Sequence, residues 1–105
     1  MLTVISPAKT LDFETPAITK EFSQPALLDY SSELNQYLRH LSSEDLSKLM
    51  TVSANIGDLN ADRNQRWETP FTLHNAKQAM FAFKGDVYIG LDANTMSSED
   101  LLFAQ

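Results

Sequence analysis

Two short motifs, one near each end of the sequence, contain residue types that bind anions. Ser6-Pro-Ala-Lys-Thr10 directly follows an apolar run and supplies one ammonium and two hydroxyl groups. Phe83-Lys-Gly-Asp-Val-Tyr88 follows a second apolar and aromatic run. Ligands of α/β proteins gather where strands end. If the two runs are neighbouring strands, Lys9 and Lys84 approach each other and attract an anion.

Each motif also has a plain structural explanation. The first can be a polar strand exit in which Thr10 caps the next element, and it lacks the glycines that let backbone amides wrap a phosphate. The second can be a tight turn in which Gly85 has a positive φ. From the sequence, both interpretations of each motif remain open.

Arg63 lies between Leu59 and Trp67 on the apolar face of a predicted helix. Burying an unpaired guanidinium is costly, so Arg63 must either pair with an acid inside the protein or point into a polar cleft. The sequence does not distinguish these two arrangements. Arg66 and Lys77 lie off this line, and we predict that both are solvated.

Residues 46–56 combine two helical patterns with a tight break between them, and this shape resembles a helix-hairpin-helix. The hairpin of that motif offers backbone amides to a DNA phosphate, independently of the base sequence. The break around Val52 and Ser53 contains none of the glycines that normally let a phosphate approach. An ordinary antiparallel helix pair is therefore the favoured interpretation of these residues.

The sequence predicts no catalytic set, no metal site and no cofactor. The Glu44-Asp45 and Glu99-Asp100 pairs fall in the first turns of predicted helices, where carboxylates oppose the helix dipole. His40 and His74 have no metal-ligand spacing to each other or to a carboxylate. There is no cysteine to act as a thiolate ligand or nucleophile.

The apolar patterns predict a mixed α/β (α+β) fold that is rich in helices. Residues 1–5 form a β-branched run that ends at Pro7, and residues 79–83 are aromatic enough for a second strand. A turn or short helical element is predicted for residues 84–91. Further helices are predicted to start after Ser23, after Ser42, shortly before Ile56, after Thr72 and near Ser98.

The composition is that of a globular protein. The 105 residues are 43% hydrophobic and carry a net charge of −6, which on average disfavours phosphate backbones and anionic lipid. No apolar run approaches the ~20 residues that a bilayer crossing needs, so no membrane partner is predicted. No leader peptide is recognisable, and a cytoplasmic location is predicted.

The end of the sequence indicates the front part of a longer protein. Leu101-Leu-Phe-Ala-Gln105 is still apolar where the chain stops, without the Gly or Asn that usually follows a helix. We predict that residues 1–105 are the N-terminal part of one larger domain with no internal boundary. Leu101, Leu102, Phe103 and one face of the first strand are then expected to expose apolar surface.

Three stretches together resemble the YaaA family of bacterial peroxide-stress proteins. They are Ile5-Ser-Pro-Ala-Lys-Thr-Leu11, the Asn60-Ala-x-Arg63 segment with Trp67, and the segment from Ala82 to Leu91. The resemblance implies a cytosolic protein of an unusual α/β fold, linked to peroxide survival, to limiting free iron and to DNA binding through a helix-hairpin-helix-like element. It implies no enzymatic reaction. The residues that match the family's motifs are Ser6, Lys9, Thr10, Asn60, Arg63, Lys84, Gly85 and Asp86.

Three functions follow as hypotheses. The first is non-specific binding of double-stranded DNA through one cleft shared by Lys9, Arg63 and Lys84. The second is an enzyme or binding protein for a phosphorylated or otherwise anionic small molecule, with Asp86 as an acid or base. The third is iron binding by carboxylates, which the helix positions of the acidic pairs disfavour.

Overall fold

The computed structural model describes residues 1–105, and it contains helices but no β-sheet. The helices, in chain order, are α1 (Leu28–Leu38), α2 (Ser43–Met50), α3 (Ala54–Arg66), α4 (Ala79–Ala82), α5 (Asp86–Leu91) and α6 (Ser98–Ala104), with a 3-10 turn at Ala93–Thr95. None of these helices combines the length and the apolar character that a bilayer crossing requires.

The chain divides into two compact units. The central unit is Ser23–Asn75 and contains α1, α2 and α3. The discontinuous unit is made of Met1–Phe22 and Ala76–Gln105 and contains α4, α5 and α6. Whether both belong to one larger domain, as the sequence predicts, stays a prediction.

In the central unit, α2 and α3 each begin with a serine cap, and they pack closely because a glycine lies between them. The Oγ atoms of Ser42 and Ser53 accept the amides of the third helical residues, as predicted for Ser42. Leu46 of α2 is 1% exposed. A Cβ atom at Gly57 would lie 2.6 Å from the carbonyl oxygen of Ser43, so only glycine permits this approach.

Helix α1 is joined to α3 by polar contacts. The Nδ2 atom of Asn35 donates to the carbonyl oxygen of Asn64 at 3.2 Å, and the Nε atom of Arg39 donates to the same oxygen at 3.0 Å. Gln65 returns a hydrogen bond to the carbonyl of Arg39 at 2.8 Å. These bonds occupy the carbonyl of Asn64, near the C-terminal end of α3, and satisfy a buried asparagine side chain.

The mixed α/β prediction is wrong, because neither predicted strand forms. Residues 1–5 are irregular and exposed. Residues 79–82 close one helical turn, in which the amide of Phe83 bonds to the carbonyl of Ala79 at 3.0 Å. Alanine and methionine favour helix, and a strand without a neighbour leaves its backbone groups unpaired. All that remains of β-structure is one isolated antiparallel bridge between Leu11 and Phe83.

The other helix predictions have mixed outcomes. The predicted helix after Thr72 is wrong, because a turn forms there instead: the amide of Thr72 donates to the side-chain oxygen of Asn75, and the amide of Asn75 donates to the carbonyl of Thr72. The predicted helix near Ser98 is confirmed, and Ser97 and Asp100 form its capping box. Leu101 is buried, contrary to prediction, whereas Leu102 and Phe103 are 72% and 92% exposed as predicted.

Candidate functional site

The two motifs from opposite ends of the sequence lie side by side in the discontinuous unit. The amide of Lys84 donates to the carbonyl of Thr10 at 2.9 Å, and the amide of Asp12 donates to the carbonyl of Ala82 at 2.7 Å. The segments therefore run antiparallel over a few residues, with Leu11 opposite Phe83. The motifs are neighbours as anticipated, but a short irregular pairing places them there and not two strands.

Gly85 permits a close contact with the Ser6–Thr10 motif and does not adopt an unusual backbone conformation. Its φ is −90°, so the interpretation of a positive-φ turn is wrong. A Cβ atom at this position would lie 3.0 Å from the Cβ of Ala8, which is tighter than an ordinary van der Waals contact. The glycine thus lets the Ser6–Thr10 motif approach the start of α5.

Asp12 is the centre of the polar groups in this unit. Its Oδ1 atom accepts the amides of Glu14 at 3.0 Å and Thr15 at 2.9 Å. Its Oδ2 atom lies 3.3 Å from the Nζ of Lys84 and 3.9 Å from the Nζ of Lys77. The hydrogen bonds from Thr15, with smaller contributions from Glu14 and Lys84, hold the pKa of the Asp12 carboxyl well below its usual range, against the opposing effect of burial.

Lys77 contributes a second ammonium group to the cluster beside that of Lys84, and sequence reasoning missed it. Its side chain is only 11% exposed, so the prediction that it is solvated is wrong. The ammonium group donates to the carbonyl oxygens of Asp12 at 2.8 Å and Thr15 at 2.6 Å. Those partners are more than sixty residues earlier in the chain, so no local pattern around Lys77 could have indicated them.

A cleft of about 300 Å³ opens beside this cluster, entirely within the discontinuous unit. Asp12, Lys77 and Lys84 form part of its wall, and Phe83 and Tyr88 give it an aromatic side. The rings of Phe83 and Tyr88 are 5.0 Å apart in a tilted arrangement. A cleft with an apolar wall and a few convergent polar groups is the usual form of a small-molecule site.

The remaining motif residues of this unit are mostly exposed. Ser6 and Thr10 are exposed, and the carbonyl of Ser6 accepts the hydroxyl of Tyr88 at 3.1 Å. Lys9 is exposed, and Lys84 is 56% exposed although it pairs with Asp12. Asp86 is the exposed first residue of α5, where a carboxylate opposes the helix dipole.

The two other predicted site residues belong to α3 of the central unit. The side-chain amide of Asn60 donates to the carbonyl of Ile56 in its own helix at 2.8 Å. Arg63 is exposed, so its charge is not buried among apolar side chains. Arg66 is also exposed, as predicted, and pairs with Asp62. A single cleft shared by Lys9, Arg63 and Lys84 stays a prediction.

The segment that resembles a helix-hairpin-helix is the α2–α3 pair. In its hairpin, the amide of Thr51 bonds to the carbonyl of Lys48 and that of Val52 to the carbonyl of Ser47, at 3.4 and 3.0 Å. These two amides therefore complete the end of α2.

No three His, Cys, Asp or Glu side chains of the chain come together as ligands for a metal ion.

Comparison with known proteins places these residues among relatives that are longer. The sequence model of the family described as "Peroxide stress protein YaaA" matches residues 1–105. A UPF0246 protein of Cellvibrio japonicus is 56% identical over 105 residues, which are 100% of this chain and 41% of that relative. UPF0246 proteins of a Shewanella species and of Shewanella putrefaciens are 55% identical over the same shares. The chain thus spans about two fifths of the length of these curated relatives.

Proposed function

Because this chain belongs to the YaaA family of peroxide stress proteins, we propose that it takes part in protection against peroxide by binding duplex DNA without sequence preference. The resemblance noted in the sequence is confirmed by the family match over the whole chain. DNA binding is proposed for the full-length protein, to which residues 1–105 contribute cationic side chains.

The contact between the two lysine motifs is the observation that supports DNA binding best. The pairing of Thr10 with Lys84 joins a segment with an exposed ammonium group to one with a half-exposed ammonium group. Ammonium and hydroxyl groups are typical phosphate contacts that carry no base information. Arg63 on α3 adds an exposed guanidinium from the central unit.

The acidic balance of the chain limits where DNA can approach. Each unit contains four Lys or Arg and seven Asp or Glu residues. Of the cations, Lys48 and Arg66 pair with acids one helical turn away, Lys84 pairs with Asp12, and the side chain of Lys77 is only 11% exposed. The long-range electrostatic attraction between this chain and DNA is therefore weak. DNA binding depends on short-range contacts and on basic residues elsewhere in the full-length protein.

Salt dependence tests this proposal directly. We expect the affinity of the full-length protein for a random-sequence duplex to fall steeply with salt concentration. Lys9→Ala, Arg63→Ala and Lys84→Ala should each reduce the slope of log K against log salt by about 0.9, the value per phosphate contact. Lys20→Ala removes an exposed lysine outside the motifs and serves as the control. A flat salt response would overturn the proposal.

We extend the proposal to a cytoplasmic location and to limiting free iron, which the family resemblance implies. Iron-driven radical damage occurs on DNA, so a protein bound there is well placed to limit it. Cells lacking the gene should contain more chelatable iron under peroxide than cells with it, as measured by electron paramagnetic resonance. Equal iron levels in the two strains would remove this part of the proposal.

The cleft beside Asp12 favours a second candidate, the binding of a small anionic molecule. Lys77 and Lys84 lie in its wall together with two aromatic rings, and the wall also contains the carboxylates of Asp12 and Asp92, so an anion would have to compete with Asp12 for the lysines. Inorganic phosphate should then raise the melting temperature of the full-length protein. The rise should be lost in Lys84→Ala and kept in Arg63→Ala, whereas DNA binding weakens in both. A melting temperature that does not respond to phosphate would exclude this candidate.

A further inference from the structure

Helix α1 turns an apolar stripe towards solvent. Tyr30, Leu34 and Tyr37 recur at steps of four and three residues, and such spacing places them on one side of the helix; Leu27, the left-handed residue just before the helix, is also apolar and exposed. Each of these side chains is between 64% and 70% exposed. We call this set the α1 face.

The opposite side of α1 makes the contacts with the rest of the central unit. There the buried residue is Asn35, and the half-buried residues are Ser31, Ser32 and, near the two ends of the helix, Leu28 and Leu38. Asn35 and Arg39 hold α1 to α3 through the hydrogen bonds to the carbonyl of Asn64. The middle of the inner side is therefore polar while most of the apolar stripe lies in water, which departs from the usual arrangement of an apolar stripe that faces the core.

Such a face is energetically unfavourable when it remains in water. Burial contributes roughly 25 cal/mol for each Å² of apolar surface, and monomeric proteins rarely expose a contiguous patch of more than a few hundred Å². The face also contains two tyrosines, whose rings combine an apolar body with a polar tip. Tyrosine is enriched at protein–protein interfaces. The α1 face thus has the composition of a surface that is covered in the functional protein.

We propose that the α1 face is covered by a segment of the full-length protein that lies outside residues 1–105. The curated relatives are longer, and this chain spans only 41% of the length of the first of them, so the family's proteins contain ample chain for this role. Asp29 and Glu33 border the face on α1 and are exposed. The covering segment is therefore an amphipathic one, apolar on one side with Lys or Arg along its edge.

This inference does not depend on the DNA-binding proposal, and cysteine accessibility in the full-length protein tests it. Leu34→Cys places a small apolar thiol in the α1 face, and Gln36→Cys places one on an exposed, polar part of the same helix. Alkylation is followed by mass spectrometry of the peptide that contains α1. We expect the thiol at position 34 to react more slowly than the thiol at position 36 by about tenfold or more, at every protein concentration.

Two results would overturn the inference. Equal reaction rates at the two positions would mean that the α1 face is open to solvent. Protection of position 34 that disappears on dilution would mean that a second copy covers it. Hydroxyl-radical footprinting of the unmodified protein gives the same information at Tyr30 and Tyr37, which are expected to be protected, so the test does not depend on a variant that folds.

Discussion

The ammonium group of Lys77 lies 2.6 Å from the carbonyl oxygen of Thr15, a residue 62 positions earlier in the chain. It also donates to the carbonyl of Asp12, so one buried cation holds the residue 12–15 loop against the second half of the discontinuous unit. Charge-assisted hydrogen bonds are among the stronger ones in proteins. Lys77 thereby supports the position of the Asp12 carboxylate beside Lys84.

Replacing Lys77 should destabilise the protein. Lys77→Met keeps the length of the side chain but leaves two carbonyl oxygens without their donor, which should lower the free energy of unfolding by about 2–3 kcal/mol. Urea denaturation followed by circular dichroism measures this change. Lys20→Met, at an exposed lysine of the same unit, should change stability by no more than about 0.5 kcal/mol. Equal effects of the two variants would contradict a structural role for Lys77.

Acid should remove a contribution to stability that depends on Asp12. Hydrogen bonds from Thr15 first, and then from Glu14 and Lys84, hold the pKa of its carboxyl below the usual value in the folded state. The ionised carboxylate therefore stabilises the fold fully above the pKa of an unfolded aspartate, about 3.9, and this stabilisation is lost as the pH falls further.

Asp12→Asn isolates this effect, because asparagine keeps an oxygen that can accept the amide of Thr15 but cannot ionise. The difference in unfolding free energy between the wild type and Asp12→Asn should be constant from pH 7 to pH 5 and should shrink below about pH 4. Denaturant titrations at each pH measure it. A difference that stays constant down to pH 2 would show that the carboxyl is not held ionised by its partners.

Two glycine substitutions should have opposite effects. At Gly57 a new Cβ would lie 1.9 Å from the Oγ of Ser47 and 2.6 Å from the carbonyl oxygen of Ser43, so Gly57→Ala forces α2 and α3 apart and costs about 1–3 kcal/mol. At Gly90 of α5 nothing lies within 4 Å, and Gly90→Ala should stabilise by about 0.5–1 kcal/mol through helix propensity alone. Thermal unfolding of both variants measures the two effects. A higher melting temperature for Gly57→Ala would contradict the close packing of α2 against α3.

Local signals predicted the central unit well. The serine caps, the helical spacing of apolar residues and the break near Val52 depend on neighbours a few residues apart, and helices α1, α2 and α3 follow them. The start of α1 is the exception, because the predicted cap at Ser23 is not used and the helix begins only after Leu27. An amphipathic pattern also indicates which side of α1 is apolar, but it cannot say which side meets α3.

The discontinuous unit was less predictable. Whether an apolar run becomes a strand depends on a partner elsewhere in the chain. Residues 1–5 find none, and the run at residues 79–83 has only the single bridge between Phe83 and Leu11. The turn at Thr72 formed because short polar side chains bond to nearby backbone groups in competition with helix. Helix α6 was predictable because its capping box is local.

The amino-acid sequence alone determined the family, the motif residues and the starts of α2, α3 and α6, because each of these depends on residue types a few positions apart. Only the tertiary structure decided that Thr10 pairs with Lys84, that the Lys77 ammonium bonds to the carbonyl of Asp12 and that Asn35 of α1 meets α3. The physical reason is the separation along the chain. Contacts between residues many tens of positions apart depend on how every element in between folds, and no local spacing encodes them.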